Sequence, residues 1–119
     1  MITDIKFTVI TVTFNAESVL RKTIESVLNQ SFLPFECFII DGKSTDKTIE
    51  IAQEYKESFE DKGIRFYIQS EKDSGIYNAM NKGIKMATGD FISFLNAGDW
   101  YELDALEKVN AFSNLSLLT

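Results

Sequence analysis

Histidine is absent from this chain, and its 119 residues include only one cysteine and one proline. Without histidine, catalytic groups of the Ser-His-Asp or Cys-His type and zinc sites with histidine ligands are excluded. The lone Cys37 cannot form an internal disulfide. Because it lies in an apolar run, a small core residue is favoured over a reactive thiol, and this cysteine usage fits a reducing compartment.

Long apolar runs and an excess of basic residues are also missing. No stretch approaches the roughly 20 apolar residues that span a bilayer, and the N-terminus lacks the pattern of a signal peptide. The 12 basic residues are outnumbered by 18 acidic ones, for a formal charge of −6, which argues against a nucleic acid partner. We therefore expect a cytoplasmic protein, with peripheral association at the inner face of a membrane left open.

What the chain does contain is an alternation of strand-like and helix-like segments within the length of one domain, residues 1–119. β-branched and aromatic runs predict strands, and apolar residues at helical spacing predict helices. The predicted strands are Phe7–Phe14, Glu36–Ile40, Ile64–Gln69 and Phe91–Leu95. The predicted helices are Glu17–Asn29 after an Asn15 cap, Ser44 to about Ser58, a helix capped by Asp73 or Ser74 and ended by Gly89, and Glu102 to about Phe112.

This alternation predicts an α/β fold: a Rossmann-like, three-layer α/β/α architecture with a mainly parallel sheet and right-handed crossovers. Phe14 leads into Asn15-Ala16-Glu17 without a glycine-rich turn. The dinucleotide fingerprint and the phosphate-binding loop are therefore both absent, which argues against a nicotinamide dehydrogenase and a standard NTPase. A phosphoacceptor signalling domain is a weaker alternative, because Asn15 and Gln69-Ser70 stand where such a domain needs acids.

Two predicted strands end in small and acidic residues. Asp41-Gly42 follows the second strand, and Asn96-Ala97-Gly98-Asp99 follows the fourth. Ligands of open α/β sheets sit beyond the carboxyl ends of the strands, so both segments indicate a site at one rim. Asp41 either accepts hydrogen bonds from a nucleoside or begins an Asp-Gly turn. Asp99 either helps to bind Mg²⁺ or Mn²⁺ or belongs to a capped loop.

A third candidate segment, Asp73-Ser74-Gly75, precedes the third predicted helix. The N-terminus of that helix could face the same rim and present N–H groups to a phosphate. The alternative is that Asp73 or Ser74 simply caps the helix.

Five segments together resemble the donor-binding half of a family 2 glycosyltransferase with the GT-A fold, from Phe7 to about Leu106. Each segment is weak evidence alone, but their common order and spacing are specific. The segments are Val9–Asn15, like the opening strand with its aromatic-Asn end; Ser26–Phe32, like the Ser-x-x-x-Gln-Thr-aromatic helix end; Asp41–Thr48, like the Asp-Asp/Gly-Gly-Ser-Thr-Asp-x-Thr motif; Ser70–Ile84, like a subgroup associated with polysaccharide assembly; and Ala87–Asp90, which leads into the metal-motif region.

The resemblance implies a role for each candidate residue. The implied roles are a nucleoside pocket lined by Thr13 and Asn15, a uracil or ribose contact from Asp41, a border of the nucleotide-sugar from Asp73 and Asn78, and a divalent ion, Mg²⁺ or Mn²⁺, held against the diphosphate by Asn96 and Asp99. Such an ion would neutralise charge on the departing nucleoside diphosphate.

The resemblance also implies a reaction, in which a sugar moves with inversion from a nucleotide-sugar, UDP-linked, to a hydroxyl of a glycan or lipid-linked acceptor. The acceptor-binding half, which supplies the catalytic base, is expected to be absent, so no base is named. Two departures stand out: Gly42 replaces a frequent Asp, and Asn96 and Gly98 replace the metal-motif acids. A non-catalytic nucleotide-sugar-binding or assembly module is therefore the alternative, and an apolar face left exposed would favour self-association.

Overall fold

The computed structural model describes the backbone of residues 4–117 and the side chains of residues 4–114. Residues 1–3, 118 and 119 of the predicted domain lie outside the described part. Four strands alternate with five helices there: β1 Phe7–Thr13, α1 Leu20–Leu28, β2 Glu36–Asp41, α2 Thr48–Glu54, α3 Lys56–Asp61, β3 Arg65–Ser70, α4 Ile76–Met86, β4 Phe91–Phe94 and α5 Ala105–Leu117. None of these helices has both the length and the apolar character that crossing a membrane requires.

The four strands form one parallel sheet in the order β3-β2-β1-β4. The chain adds β2 and β3 on one side of β1 and then returns to place β4 on the other side. The strand order therefore reverses between β1 and β4, which is the topological switch point where open α/β sheets bind ligands. This architecture confirms the predicted α/β fold with a parallel sheet.

Helices cover both faces of the sheet, because each central strand is apolar on both sides. On one face, Phe7, Val9 and Ile39 pack in a buried cluster with residues of α1, α2, α3 and α5. On the other face, Ile10, Phe38 and Ile40 pack against Ala79 of α4. Cys37 belongs to the first cluster, and burial raises the pKa of its thiol to about 12, as expected for an inert core residue.

The predicted helix from Ser44 to about Ser58 is wrong. The structure has two short helices instead, α2 beginning at Thr48 and α3 beginning at Lys56. The Asn15 cap is also wrong, because Asn15 adopts the left-handed backbone conformation, with φ 47°, and α1 begins five residues later at Leu20. Asn15 and Ser44 instead bond between the two loops: the Thr45 N–H donates to Asn15 Oδ1, and the Asn15 N–H donates to Ser44 Oγ.

The predicted boundaries of α4 need correction as well. Gly75 occupies the N-cap position in place of Asp73 or Ser74, and Ala87 occupies the C-cap in place of Gly89. Gly89 is instead a close-approach residue, since a Cβ atom there would lie 2.5 Å from both Lys6 O and Thr8 Oγ1. The glycine is required by the contact with β1 and not by a helix end.

A buried carboxylate holds the amino-terminal edge of the sheet. Glu36 begins β2 and is fully buried. It accepts hydrogen bonds from Thr8 Oγ1 at 2.7 Å, from the Thr88 N–H at 2.6 Å and from Thr88 Oγ1 at 2.7 Å, and it pairs with Arg65. Burial raises the pKa of Glu36, but these hydrogen bonds outweigh it and hold the pKa below its usual value. Glu36 thus joins β1, β3 and the α4–β4 connection.

Candidate functional site

A cleft of about 730 Å³ opens at the carboxyl edge of the sheet, where the topology places the switch point. It lies between the ends of β1, β2 and β4 and the start of α4. Its lining comprises Val12, Thr13, Phe14, Ala16, Gly42, Lys72, Asp73, Ser74, Gly75, Ile76, Asn96 and Ala97. This volume falls within the range of small-molecule and cofactor sites.

Asp41 ends β2 and is almost completely buried. Its Oδ1 accepts hydrogen bonds from Thr13 Oγ1 and Ser44 Oγ, both at 2.6 Å. Its Oδ2 accepts from the Ser44 N–H at 2.7 Å and from Ser70 Oγ at 2.8 Å. Four donors therefore occupy the four acceptor positions of the carboxylate. Asp41 ties the ends of β1, β2 and β3 together, and its predicted contact with a nucleoside stays a prediction.

The environment of Asp41 has opposite effects on its pKa. Burial raises the pKa, whereas the hydrogen bonds from Ser44, Thr13 and Ser70 lower it. The hydrogen bonds prevail, and the pKa lies below its usual value. Asp41 is consequently a charged acceptor at neutral pH and not a proton donor.

Asn15 has a comparable structural task in the neighbouring loop. Its Oδ1 accepts a hydrogen bond from the Thr45 N–H at 2.8 Å, and its own N–H donates to Ser44 Oγ at 2.8 Å. One residue further, the Ala16 N–H donates to Thr48 Oγ1 at 2.8 Å. The Asp41–Thr48 segment therefore holds the β1–α1 loop by hydrogen bonds, and its Gly42 lines the cleft.

Phe14 is one of several cleft residues, Lys72 among them, that the sequence-based assignment missed. It follows β1 directly, lines the cleft and leaves 62% of its surface exposed. An aromatic ring left exposed in a concave site is available for stacking on a planar group. Its place in a loop immediately after a strand end was the signal that could have revealed it.

The β3–α4 connection brings one charge of each sign to the cleft. Lys72 and Asp73 both line it, together with Ser74, Gly75 and Ile76 at the start of α4. The Ser74 N–H donates to Asn78 Oδ1 at 3.2 Å and the Gly75 N–H donates to Asp73 Oδ1 at 3.1 Å. No side chain caps α4 itself, so its first N–H groups are available at the cleft. Asn78 supports this turn and does not line the cleft.

The two predicted metal ligands have different places. Asn96 lines the cleft, and its Oδ1 is buried without a hydrogen-bond partner among the described residues. Asp99 is exposed and does not line the cleft. Within residues 4–117, no group of three or more acidic or cysteine side chains could hold a metal ion. A preassembled carboxylate site is thus lacking there, and Asn96 supplies one oxygen ligand of the kind that Mg²⁺ and Mn²⁺ accept.

Of the seven residues proposed from sequence, Thr13, Asp73 and Asn96 meet in the cleft. The other four do not line the cleft: Asn15, Asp41 and Asn78 form hydrogen bonds with the loops around it, and Asp99 is exposed. Comparison with known proteins shows the family to which the chain belongs. The family described as Glycosyl transferase family 2 matches residues 8–113. The chain belongs to glycosyl transferase family 2.

Relatives in this family support the membership. A PGL/p-HBAD biosynthesis glycosyltransferase of Mycobacterium tuberculosis is 39% identical over 107 residues, which is 89% of this chain and 41% of that protein. The glycosyltransferase GlyA of Streptococcus pneumoniae is 35% identical over 109 residues, which is 92% of this chain and 15% of GlyA. The chain therefore spans less than half the length of these family 2 relatives.

Solved structures share the fold. TarS of S. aureus, in a crystal structure with UDP-GlcNAc, aligns over 90% of this chain and 30% of that chain, with a TM-score of 0.78 and 27% identity. A mannosyltransferase of Pyrobaculum calidifontis, in a structure with GDP-Man and Mn²⁺, aligns over 96% of this chain and 33% of that chain. Its TM-score is 0.79 at 23% identity, which shows the fold alone.

Proposed function

We propose that this chain forms the donor-binding part of a glycosyltransferase and holds a nucleotide-sugar, UDP-linked, in the cleft at the carboxyl edge of its sheet. The observation that carries the proposal is the makeup of that cleft. Its lining includes an exposed aromatic ring, a lysine and an uncapped helix N-terminus. Family membership and the UDP-GlcNAc complex of TarS support the same ligand class.

The nucleoside would lie against Phe14. A pyrimidine base is flat and apolar on its faces, and stacking on an exposed aromatic ring is worth about 1–3 kcal/mol per base. Thr13 and Gly42 line the cleft beside Phe14 at the ends of β1 and β2. Asp41 holds both strand ends in place through Thr13 and Ser44, so it acts by positioning the pocket wall.

The diphosphate would lie toward the start of α4. A chain with a formal charge of −6 repels an anionic ligand at long range, so local positive charge is needed. Lys72 provides it in the cleft lining. The uncapped N–H groups at the start of α4, which is 11 residues long, add the positive end of the helix dipole.

For a divalent ion, we propose only which residues could hold it. Asn96 lines the cleft, and its buried Oδ1 has no hydrogen-bond partner among the described residues; Asp99 is exposed outside the lining and would have to turn toward the cleft to add its carboxylate. Mg²⁺ and Mn²⁺ often use one or two protein ligands and complete their shell with phosphates and water. When bound, such an ion would supply positive charge that stabilises the departing nucleoside diphosphate.

In the transfer reaction, an acceptor hydroxyl oxygen attacks the anomeric carbon of the donor sugar, with inversion. The new C–O bond forms as the bond to the diphosphate breaks, and the nucleoside diphosphate leaves with the electron pair. The proton of the hydroxyl goes to a general base. We assign no residue of this chain to that base. The proposed acceptor is a hydroxyl group of a glycan or of a lipid-linked molecule. A cytoplasmic location belongs to the same proposal.

The second candidate is a module that binds the nucleotide-sugar without turnover. One observation favours it: among the described residues, no group of three or more acidic or cysteine side chains is placed to hold a metal ion. Transfer or hydrolysis of UDP-GlcNAc by the purified chain would contradict this candidate. Binding of UDP-GlcNAc with neither reaction would support it.

A calorimetric titration with UDP, GDP and TDP, each with and without Mn²⁺, tests the proposed function. We expect UDP to bind, and Phe14→Leu to weaken its binding about tenfold while leaving stability unchanged, since leucine keeps the apolar bulk and loses the stacking face. Val19→Ala, at an exposed apolar residue outside the cleft lining, is the control and should bind normally. Failure of all three nucleotides to bind under both conditions would contradict the proposal.

A further inference from the structure

Gly42 and Asp73 come from different loops and meet in the cleft. Gly42 follows β2, Asp73 lies between β3 and α4, and both belong to the cleft lining. A Cβ atom at position 42 would lie 3.1 Å from Oδ2 and 3.4 Å from Oδ1 of Asp73. The carboxylate therefore packs directly over the glycine, in space that a side chain at position 42 would need.

The two oxygens of Asp73 have different surroundings. Oδ1 accepts the hydrogen bond from the Gly75 N–H. Oδ2 has no hydrogen-bond donor within the described part of the chain, although it is the oxygen nearest to Gly42. Asp41, only one residue from Gly42, has all its acceptor positions filled. Of these two carboxylates, Asp73 is therefore the one with an acceptor left for a ligand.

The charge of Asp73 limits the ligand group that it can accept. A carboxylate repels phosphate oxygens and forms strong hydrogen bonds with N–H and O–H donors. Lys72 and the start of α4 favour the opposite, an anionic group. Asp73 thus matches the uncharged, donor-bearing part of a nucleotide, and its neighbours match the phosphates.

We propose that Gly42 and Asp73 act as one recognition unit, in which Asp73 Oδ2 accepts a hydrogen bond from an uncharged donor on the nucleoside. Gly42 is needed because any side chain there would displace the carboxylate or crowd it. Two donors share this chemistry, the imide N–H of uracil and a ribose hydroxyl. The proposal rests on the proposed function, because it assigns one contact of the same ligand.

Titrations of Asp73→Asn with UDP and with inorganic pyrophosphate test this unit. The change removes a negative charge but keeps the shape, so we expect pyrophosphate to bind equally well or more tightly. UDP should bind about tenfold or more weakly, because a charge-assisted hydrogen bond is lost. Asp61→Asn, at the exposed end of α3, is the matched control and should change neither affinity.

The two proposals fail in different ways. If the unchanged chain bound no UDP, the proposed function would be contradicted, and this contact with it. If the unchanged chain bound UDP and Asp73→Asn bound it equally well or more tightly, only the recognition unit would be contradicted. Circular dichroism of each variant confirms that a change in affinity does not reflect loss of fold.

Three UDP analogues identify the donor. N3-methyl-UDP lacks the imide N–H, and 2′-deoxy-UDP and 3′-deoxy-UDP each lack one of the two ribose hydroxyls. The analogue without the relevant donor should bind the unchanged chain and Asp73→Asn with similar affinity. Gly42→Asp should also weaken UDP binding, because it places a second carboxylate against Asp73. Adding Asp73→Asn should recover part of that affinity, because it removes the repulsion between the two negative charges. An undiminished effect of Asp73→Asn with all three analogues would overturn the proposal.

Discussion

The ends of β2 and β4 carry similar small and polar residues, yet the structure uses them in different ways. At the end of β2, Asp41 is buried and its oxygens accept four hydrogen bonds from the protein. At the end of β4, the loop is held by its backbone, with the Ala97 N–H donating to Val12 O at 3.2 Å and the Gly98 N–H to Thr23 Oγ1 at 2.8 Å. Asn96 Oδ1 is left without a partner.

The difference separates residues that build the cleft from residues that can bind in it. Filling every acceptor of Asp41 from within the protein fixes three strand ends and favours a rigid wall. The β4 loop is held through its backbone N–H groups, so the side-chain oxygen of Asn96 is not used for this purpose. A buried polar oxygen without a partner is destabilising by about 1–3 kcal/mol, and binding sites are where such costs are tolerated.

The largest effect on stability should come from weakening the hydrogen bonds to Asp41 at the end of β2. Asp41→Asn replaces the shared acceptor with an amide and should lower the free energy of unfolding by about 2–3 kcal/mol, measured by urea denaturation. UDP binding should weaken as well, because Thr13 and Gly42 lose their support. Glu36→Gln is the matched control, since it should cost similar stability at the opposite edge and leave UDP affinity unchanged. Equal losses of affinity in both variants would contradict the separation.

Lowering the pH should reduce the stability that Asp41 and Glu36 contribute. The pKa values of Asp41 and Glu36 are held below their usual values in the folded chain. Each therefore contributes stability that is present above its unfolded pKa, near pH 4, and is lost as pH falls through the folded pKa. Urea midpoints measured from pH 6 to pH 3 should fall, and Asp41→Asn and Glu36→Gln should each flatten the dependence. An unchanged slope in both variants would show that other groups cause the loss.

Changing the β4 end should have a smaller effect, and mainly on binding. Asn96→Ala should leave the free energy of unfolding unchanged or raise it by up to about 1 kcal/mol, because the buried oxygen that it removes makes no hydrogen bond within the described residues. UDP affinity measured by calorimetry should fall about threefold to tenfold. Asn96→Asp should make UDP binding depend more strongly on Mn²⁺. A large loss of stability in Asn96→Ala would mean that this end is structural too.

The smallest effect should appear at Lys43, which lies in the left-handed region with φ 66° beside Asp41. Lys43→Gly should raise the free energy of unfolding by about 0.5–1 kcal/mol, because glycine adopts this conformation without steric cost. Gly63→Ala, at φ 75°, should have the opposite sign. If Lys43→Gly were destabilising, the lysine side chain would be contributing a contact at the rim that outweighs its backbone strain.

The sequence predicted the layers of the fold better than the tasks of its polar residues. Alternating strand and helix patterns sufficed for the parallel sheet, because apolar periodicity reports burial directly. Asp41 could not be assigned in this way. Its partners Thr13 and Ser70 lie 28 and 29 residues away, so only the folded register decides whether its oxygens are free. Gly89 was misassigned for the same reason, since its neighbour is β1 and not its own helix.

A two-dimensional ¹H–¹⁵N NMR titration of the chain with UDP tests the central claim most directly, because it locates binding residue by residue. We predict chemical-shift changes at Phe14, Gly42, the Lys72–Ile76 segment and the Asn96–Ala97 segment. The amides of Glu36 and Thr88, at the opposite edge of the sheet, should not change. Absence of changes at saturating UDP, or changes centred on the Glu36 edge, would contradict the assignment of this cleft as the donor site.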